Sequence, residues 1–514
     1  MKKRSNLIFL TIAVFLTLPA LWGILHPGFF LSDDGNWMVI RLSAFYESIR
    51  DGQFPVRFLS RLNHGYGYPV ADFLYPLFMY IGVPIHALGF SFVNTVKIIL
   101  ALSMIASSIF SFFWLRRLFD DISSLVGAVF YTYAPYHLFD LYKRGSVGEV
   151  LALSIIPFIF WQLERKSFIW SSAGIALLIV AHNTLAAMFL PLVILYMAFN
   201  ILITKDKAKL IYQNTAAIIL GFTLSAFFWI PAIYDLRYTV FSKTQVSDWS
   251  KYFSDFNLVG LTTAFIISLT LALILMKKIE IKKHRLTVLL LTVGIMSVFL
   301  STSISSGLWE LLPVSFVQFP FRFLSLAIFC IAFLAACVVS VLKRKVKVAG
   351  VFIILLITFI SAWPFLFPKD YQYHEDSFYS TNQDSTTVKN EYMPKWVKNL
   401  PDSFDSKVEV LNGEEKINIL EVNPNKISIE GYFPVQRTVQ INTVYFPGWE
   451  VRIDGKQVPI DYNSNGLIRL DVPQGNHSIV SKFGETQIRL LADAISLVGV
   501  LIIVILFIKQ HKKK

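Results

Sequence analysis

The stretch FLYPLFMYIGVPIHAL, residues 73–88, is apolar enough to enter a bilayer, and whether it crosses decides how the whole chain is threaded. Pro76 and Pro84 interrupt a helical hydrogen-bond ladder, and Gly82 and His86 break the apolar run. Such residues suit an interfacial or re-entrant segment packed against protein better than a free-standing span. The basic residues supply an independent reading. They gather at Lys2–Arg4, Arg116-Arg117, Arg165-Lys166, Lys205–Lys209, Lys277–Arg285, Lys343–Lys347 and Lys509–Lys514, between apolar runs. Lysine and arginine accumulate in cytoplasmic loops, and these clusters share one side only if residues 73–88 do not cross. A crossing there would put Arg116-Arg117 outside and invert every later segment.

Working outward, twelve spans are predicted, at residues 5–26, 93–115, 122–138, 147–163, 168–183, 185–204, 210–232, 256–276, 286–302, 321–342, 348–367 and 488–508. Leu286–Leu300, Val348–Phe367 and Ile495–Ile508 are free of charge, and with their flanks reach the roughly 20 helical residues that a hydrocarbon layer requires. Of the 514 residues, 55% are hydrophobic and 16% charged, against about 25% charged in an average soluble domain. The membrane is therefore the solvent. The start, Met1 to Arg4 followed by an apolar run to Leu25, has no small-residue cleavage motif and reads as a retained span rather than a signal peptide. The net charge of +13 is topological, and no nucleic-acid partner is expected. Cys330 and Cys337 share one apolar run, which implies neither a disulfide framework nor a cysteine metal site.

Both termini then fall in the cytoplasm, and a first loop at 27–92, shorter loops near 139–146, 233–255 and 303–320, and a compositionally distinct region at 368–487 lie outside. That region reads as short alternating strands at Lys407–Leu411, Lys416–Leu420, Lys426–Ile429, Thr438–Tyr445, Glu450–Ile453, Leu467–Val472 and Ser478–Phe483. Turn residues at Asp454-Gly455, Asn463–Gly466 and Pro473–Asn476 separate them, as in a small β-sandwich. Residues 488–514 form the last span and a basic tail.

The outer loop opens with Ser32-Asp33-Asp34-Gly35 where the first span should leave the bilayer. A helix follows with Asn36, Ser43, Glu47 and Arg50 on one face and Met38, Leu42, Phe45 and Ile49 on the other, a pattern that would lie along the membrane surface. A carboxylate at that height can take a proton from an acceptor hydroxyl, or hold a divalent cation against phosphate oxygens. The alternative is that the doublet only caps the helix. Other polar residues collect at the same ends of the spans: Arg57, Tyr66, Tyr68, His137, Asp140, Arg144, Glu149, His182, Gln318 and Arg322. Arg144 and Arg322 oppose the positive-inside trend, and a guanidinium at the boundary can fork onto a phosphate; the alternative for Arg144 is an ion pair with Asp140 or Glu149. His182 is read as a packed span terminus or a pocket residue. No histidine pair has zinc-ligand spacing, and phosphate-loop and dinucleotide fingerprints are missing.

Several motifs carry a family resemblance: Gly52–Arg57 (GQFPVR), Gly65–Pro69 (GYGYP), Ala134–Leu138 (APYHL), Leu141–Gly145 (LYKRG) and Gln318–Phe323 (QFPFRF). With them the chain resembles a prokaryotic membrane-protein group named as related to 6-pyruvoyl-tetrahydropterin synthase, and more loosely the YfhO group of membrane glycosyltransferases. Asp33-Asp34 matches the acidic motif that the GT-C superfamily of glycosyltransferases places in its first outer loop. Tyr445–Trp449 (YFPGW) with Asp454-Gly455-Lys456 matches the outer β domain of such proteins more loosely. The resemblance implies a GT-C-like polytopic helical domain over residues 1–367, with juxtamembrane helices in the first loop, then an all-β domain. It implies a catalytic Asp33 or Asp34, with Arg322, Arg144 and Arg57 as ligands of a donor phosphate. The pterin-synthase label would require zinc-bound histidines in a soluble fold, which this sequence does not offer.

The expected function is transfer of a sugar, with inversion, from a polyprenyl-phosphate-type lipid to an envelope glycan, lipid or protein, at the outer face of the cytoplasmic membrane and in contact with membrane lipids. Magnesium or manganese held by Asp33 and Asp34 is allowed by this reading and not required by it. Tyr445, Phe446 and Trp449 could stack on sugar rings or pack in the sandwich. The rival readings are a transporter or flippase for lipid-linked saccharides and a non-catalytic assembly protein. A transporter usually places its polar groups near the midplane of repeated halves, whereas here they gather at one edge.

Overall fold

The computed structural model describes residues 2–244, 248–279, 285–311 and 315–511. Parts of the predicted basic clusters at 277–285 and 509–514, and of the loop at 303–320, lie outside them. Among the described residues, seven helices are long and apolar enough to cross a membrane: Leu7–Leu25, Phe92–Leu115, Val147–Glu164, Asn183–Ile203, Pro320–Val341, Arg344–Phe365 and Gln487–Lys509. Two bent helix pairs are long and apolar enough only when taken together, Lys207–Leu224 with Ala226–Tyr238 at 65° and Arg285–Ser301 with Ser303–Trp309 at 84°.

Three predicted spans form shorter helices, Asp121–Tyr133, Phe168–Ala181 and Leu261–Leu275. At 1.5 Å per residue each covers roughly 20 Å of a core about 30 Å thick. Each is cut short by a residue with another use: Pro135 turns the chain, His182 adopts an extended backbone, and Gly260 has φ 86°. Residues 73–88 contain the 11-residue helix Leu77–Ala87, about 16 Å long, roughly half of that thickness.

Helix Phe323–Val341 is the hub of the bundle, packed against Arg285–Ser301, Asp121–Tyr133 and Leu261–Leu275. Its span is 89% buried, whereas the last span is 17% buried and displays its apolar surface to lipid. The loops predicted to share one side meet one another. Phe29–Phe30 (β1) pairs with Tyr371–Gln372 (β2), the Val444 N–H donates to the Tyr66 carbonyl, and the Val240 N–H donates to the Met393 carbonyl. At the opposite end Lys347 pairs with Asp120 at 2.9 Å.

Residues 408–483 form a two-sheet sandwich. The strands are Val408–Leu411 (β3), Ile417–Asn423 (β4), Lys426–Phe433 (β5), Arg437–Val444 (β6), Trp449–Ile453 (β7), Lys456–Val458 (β8), Leu467–Val472 (β9) and Gly475–Phe483 (β10). One antiparallel sheet runs β4-β5-β10-β7-β8 and the other β3-β6-β9. Asp454 and Gly455, at φ 49° and 80°, make the tight turn between β7 and β8, as the dipeptide predicts. Phe446 and Trp449 are buried in this core, which withdraws them from any sugar-stacking role. Tyr445 stays half-buried, stacked on Tyr462 at 4.2 Å.

The helix after the acidic doublet, Gly35–Arg50, does not lie open on the surface as its pattern suggested. Residues Met38 to Phe45 are all buried, because the segment leading to the sandwich folds over it. Ser43 donates to the Tyr379 carbonyl at 2.7 Å, and Arg61 bridges to Glu47 at 3.1 Å.

Candidate active site

Asp34 occupies the N-cap position of helix Gly35–Arg50, yet its side chain makes no capping hydrogen bond. Its carboxylate turns instead to Arg144 Nη2 at 3.5 Å. The contact is fixed from below by backbone: the Asp33 N–H donates to the Lys143 carbonyl at 2.9 Å, and the Asp34 N–H to the Arg144 carbonyl at 2.8 Å. A single π-helical turn, Phe139–Arg144, presents those carbonyls and ends at Gly145, φ 64°. A Cβ on Gly145 would lie 2.5 Å from Ser32 Oγ and 3.0 Å from the Gly35 nitrogen, so only glycine lets the loops approach.

Below Asp34 the charges interlock around Glu149, which is fully buried. Arg144 reaches Glu149 and also Asp140 at 3.1 Å. Arg322, at the start of the hub helix, donates Nε to Glu149 at 2.8 Å and Nη1 to Gln318 Oε1 at 2.7 Å and the Val317 carbonyl at 2.9 Å. Tyr136 donates to Glu149 at 3.1 Å, and His182 Nε2 stands 3.5 Å from it. Phe319 and Phe321 shelter the guanidinium groups, their ring centres 4.8–5.6 Å from the Arg144 and Arg322 carbons. Two guanidiniums sharing one buried carboxylate are held in place while Arg322 Nη2 keeps no hydrogen bond among the described residues. Burial raises the Asp34 carboxyl above its ordinary value despite Arg144 and Arg41, and burial together with Glu149 holds Asp140 well above the usual carboxylate range. Asp33 is exposed and pairs with Lys143 at 2.8 Å.

The predicted residues thus divide. Asp34, Asp140, Arg144, Glu149, His182, Gln318 and Arg322 form one connected cluster, with Asp33 at its rim. Arg57 does not join it. Its guanidinium is taken by Asp72 at 3.4 Å, Glu485 at 3.2 Å and Asp493 at 3.0 Å, and by the Phe227 carbonyl at 2.7 Å. Tyr66 packs on Phe404, and the Tyr68 hydroxyl meets Thr387 at 2.9 Å, both beneath the segment leading to the sandwich. His137 is buried and bonded to the Tyr131 carbonyl at 3.0 Å. A divalent cation does not fit this donor set: both aspartates already face basic side chains, and the surrounding field is that of guanidinium groups.

Sequence reasoning missed Arg41 and the Asp72–Arg489 pair. Arg489 sits against Asp72 at 3.6 Å and Asp235 at 2.9 Å. Like Arg144, it opposes the positive-inside trend of the predicted threading, at the start of the apolar helix Gln487–His511, which was the available signal. Arg41 lies seven residues after Asp34, two turns along the same helix face, and the surface-helix reading left it unassigned.

A polytopic helical bundle that carries a β-sandwich and encloses a buried charged centre defines the class of protein. The chain belongs to the family of membrane proteins described as 6-pyruvoyl-tetrahydropterin synthase related, whose model matches residues 72–367. An uncharacterized protein of Lactococcus lactis subsp. cremoris is 24% identical over 266 residues, covering 49% of this chain and 43% of that protein. The chain therefore spans less than half of the curated relative it matches. Among solved structures, the arabinofuranosyltransferase AftD from Mycobacteria aligns with a TM-score of 0.43 at 16% identity, over 72% of this chain and 27% of that one. ArnT from Cupriavidus metallidurans, bound to undecaprenyl phosphate, aligns with a TM-score of 0.39 at 13% identity, over 67% of this chain and 61% of that one.

Proposed function

We propose that this protein is an inverting glycosyltransferase that moves a sugar from a polyprenyl-phosphate-type lipid to an acceptor hydroxyl at the outer face of the cytoplasmic membrane. The observation that carries the reading is the orientation of Asp34. A carboxylate at an N-cap normally satisfies the helix N–H groups; this one is half-buried, uncapped and turned to Arg144. Asp34 rather than Asp33 is the base, because burial raises its proton affinity while Asp33 is solvated. The acceptor hydroxyl gives its proton to the Asp34 carboxylate as its oxygen attacks the anomeric carbon. The bond from that carbon to the phosphate oxygen breaks, and the departing phosphate keeps the electron pair. Arg144 and Arg322 offer fixed positive charge to that developing anion. Glu149 orients both guanidiniums, and Gln318 holds Arg322. The acidic motif that resembles GT-C enzymes supports the same assignment.

The test uses the full chain in membranes supplied with radiolabelled polyprenyl-phosphate sugars. Asp34→Asn is expected to abolish transfer at normal protein abundance, and Asp33→Asn to reduce it less. Unchanged transfer by Asp34→Asn defeats the reading, and movement of intact lipid-linked sugar without bond cleavage favours a flippase.

A further inference from the structure

Arg41 is among the most deeply buried large side chains of the chain, 2% exposed, and makes no ion pair among the described residues. Its guanidinium donates Nη2 to the Thr386 carbonyl at 2.6 Å, with longer contacts from Nε to Thr386 Oγ1 at 3.4 Å and from Nη1 to Met38 Sδ at 3.5 Å. A buried cation answered only by a carbonyl, a hydroxyl and a thioether is costly and normally finds a counter-charge. Thr386, which supplies that carbonyl, is itself buried with φ 62°. A β-branched residue there is a backbone outlier, of the kind that collects at ligand clamps. A second orphan lies close by. Glu391 keeps a buried Oε2 without a hydrogen bond, and both it and Arg41 act electrostatically on the Tyr68 and Tyr392 hydroxyls.

These groups belong to different elements from the donor arginines, while Arg41 stays within electrostatic reach of Asp34. Arg144 and Arg322 rise from the bundle, whereas Arg41 lies two turns, about 10 Å, along the helix that starts at Asp34, under the segment leading to the sandwich. Resting on the proposed transferase reading, we infer that Arg41 and Glu391 form the acceptor subsite, and that the acceptor is an acidic glycan. Its carboxylate or phosphate takes the Arg41 guanidinium from the Thr386 carbonyl, and a neighbouring hydroxyl donates to Glu391. A neutral saccharide would leave Arg41 without a direct ion-pair partner, with only the Asp34 carboxylate acting on it from a distance, so the site discriminates by charge.

The experiment measures binding to the full chain in detergent micelles by saturation-transfer NMR. Its probes are tetrasaccharides capped with glucuronate, with glycerol phosphate or with a neutral sugar; polyprenyl phosphate is titrated separately. The wild type is expected to bind at least one acidic probe about tenfold more tightly than the neutral one, a difference of about 1.4 kcal/mol; whichever cap is preferred names the anion. Arg41→Gln should erase the preference and spare polyprenyl phosphate, while Arg41→Lys, which keeps the charge and guards against misfolding, should retain part of it. Arg322→Gln should do the reverse. Equal binding of acidic and neutral probes by the wild type overturns the inference, as does an acid preference that survives Arg41→Gln. Loss of polyprenyl-phosphate binding on Arg41→Gln, to the extent caused by Arg322→Gln, also overturns it by placing Arg41 in the donor site. Failure of the wild type to bind polyprenyl phosphate, with the acid preference intact, counts against the transferase reading and in favour of an acidic-glycan subsite.

Discussion

At the scale of single residues, Asp34 and Glu149 make opposite demands. Burial holds the Asp34 carboxyl above its ordinary value, which is about 3.9 for an unperturbed aspartate. A base works only when ionised, so transfer should fall on acidification, with a limb lying above that value. The folded chain also binds this proton more tightly than the unfolded chain. Ionising Asp34 therefore costs stability as pH rises from the ordinary value through the raised one. Asp34→Asn should lose about 10²–10⁴-fold in transfer rate while matching or exceeding the wild-type melting temperature in detergent. Glu149→Ala should behave differently, since it strands two buried guanidiniums. Removing one partner of a buried pair costs about 3–5 kcal/mol, read as a large fall in melting temperature, and Glu149→Gln should recover part of it.

At the scale of elements, the π-helical turn at Phe139–Arg144 and its terminal Gly145 set the height of the acidic doublet. Gly145→Ala would force a left-handed residue, at a cost of about 1–2 kcal/mol, and drive its Cβ into the Ser32–Gly35 loop. Transfer should drop toward the Asp34→Asn level with most of the stability kept, which kinetics and a thermal melt on one preparation would separate. Threading is testable at the same scale, because Cys330 and Cys337 are fully buried and give no labelling background. Cysteines introduced at Asp33 and at Ser464 should react with a membrane-impermeant maleimide on intact cells, and one at Lys166 should react only after permeabilisation. Labelling of Asp33 and Lys166 positions from the same side would refute the threading.

At the scale of the whole molecule, a second charge network binds three regions together. Arg57 and Arg489 connect Asp72 of the first loop, Asp235 of the bent span, and Glu485 and Asp493 around the last span. Arg489 also donates to the Pro447 carbonyl of the sandwich at 2.8 Å. The wild type should therefore unfold in one transition that includes both bundle and sandwich. Arg489→Ala leaves Asp235 buried without its ion-pair partner and Asp72 with Arg57 alone, and calorimetry should show a lower-melting sandwich separating from the bundle.

The sequence by itself determined what depends on short-range pattern. Apolar length and positive clusters predicted the spans, and the expectation for residues 73–88 rests on Pro76, Pro84 and the shared side of the basic clusters. Alternation and turn dipeptides marked the strands, and charges beside apolar runs pointed to Asp34, Arg144 and Arg322, which the fold brings together. It could not separate Arg57 from those arginines, because both kinds are basic residues on the side predicted to be outer and differ only in which carboxylates fold against them. It could not find Arg41, because a basic residue on an amphipathic helix looks solvated until the Thr386 segment, some 345 positions later, buries it. Whether a charge faces water, a counter-charge or nothing is a long-range property, so only the tertiary structure decided which arginines pair with carboxylates and that Arg41 is buried with no ion pair among the described residues.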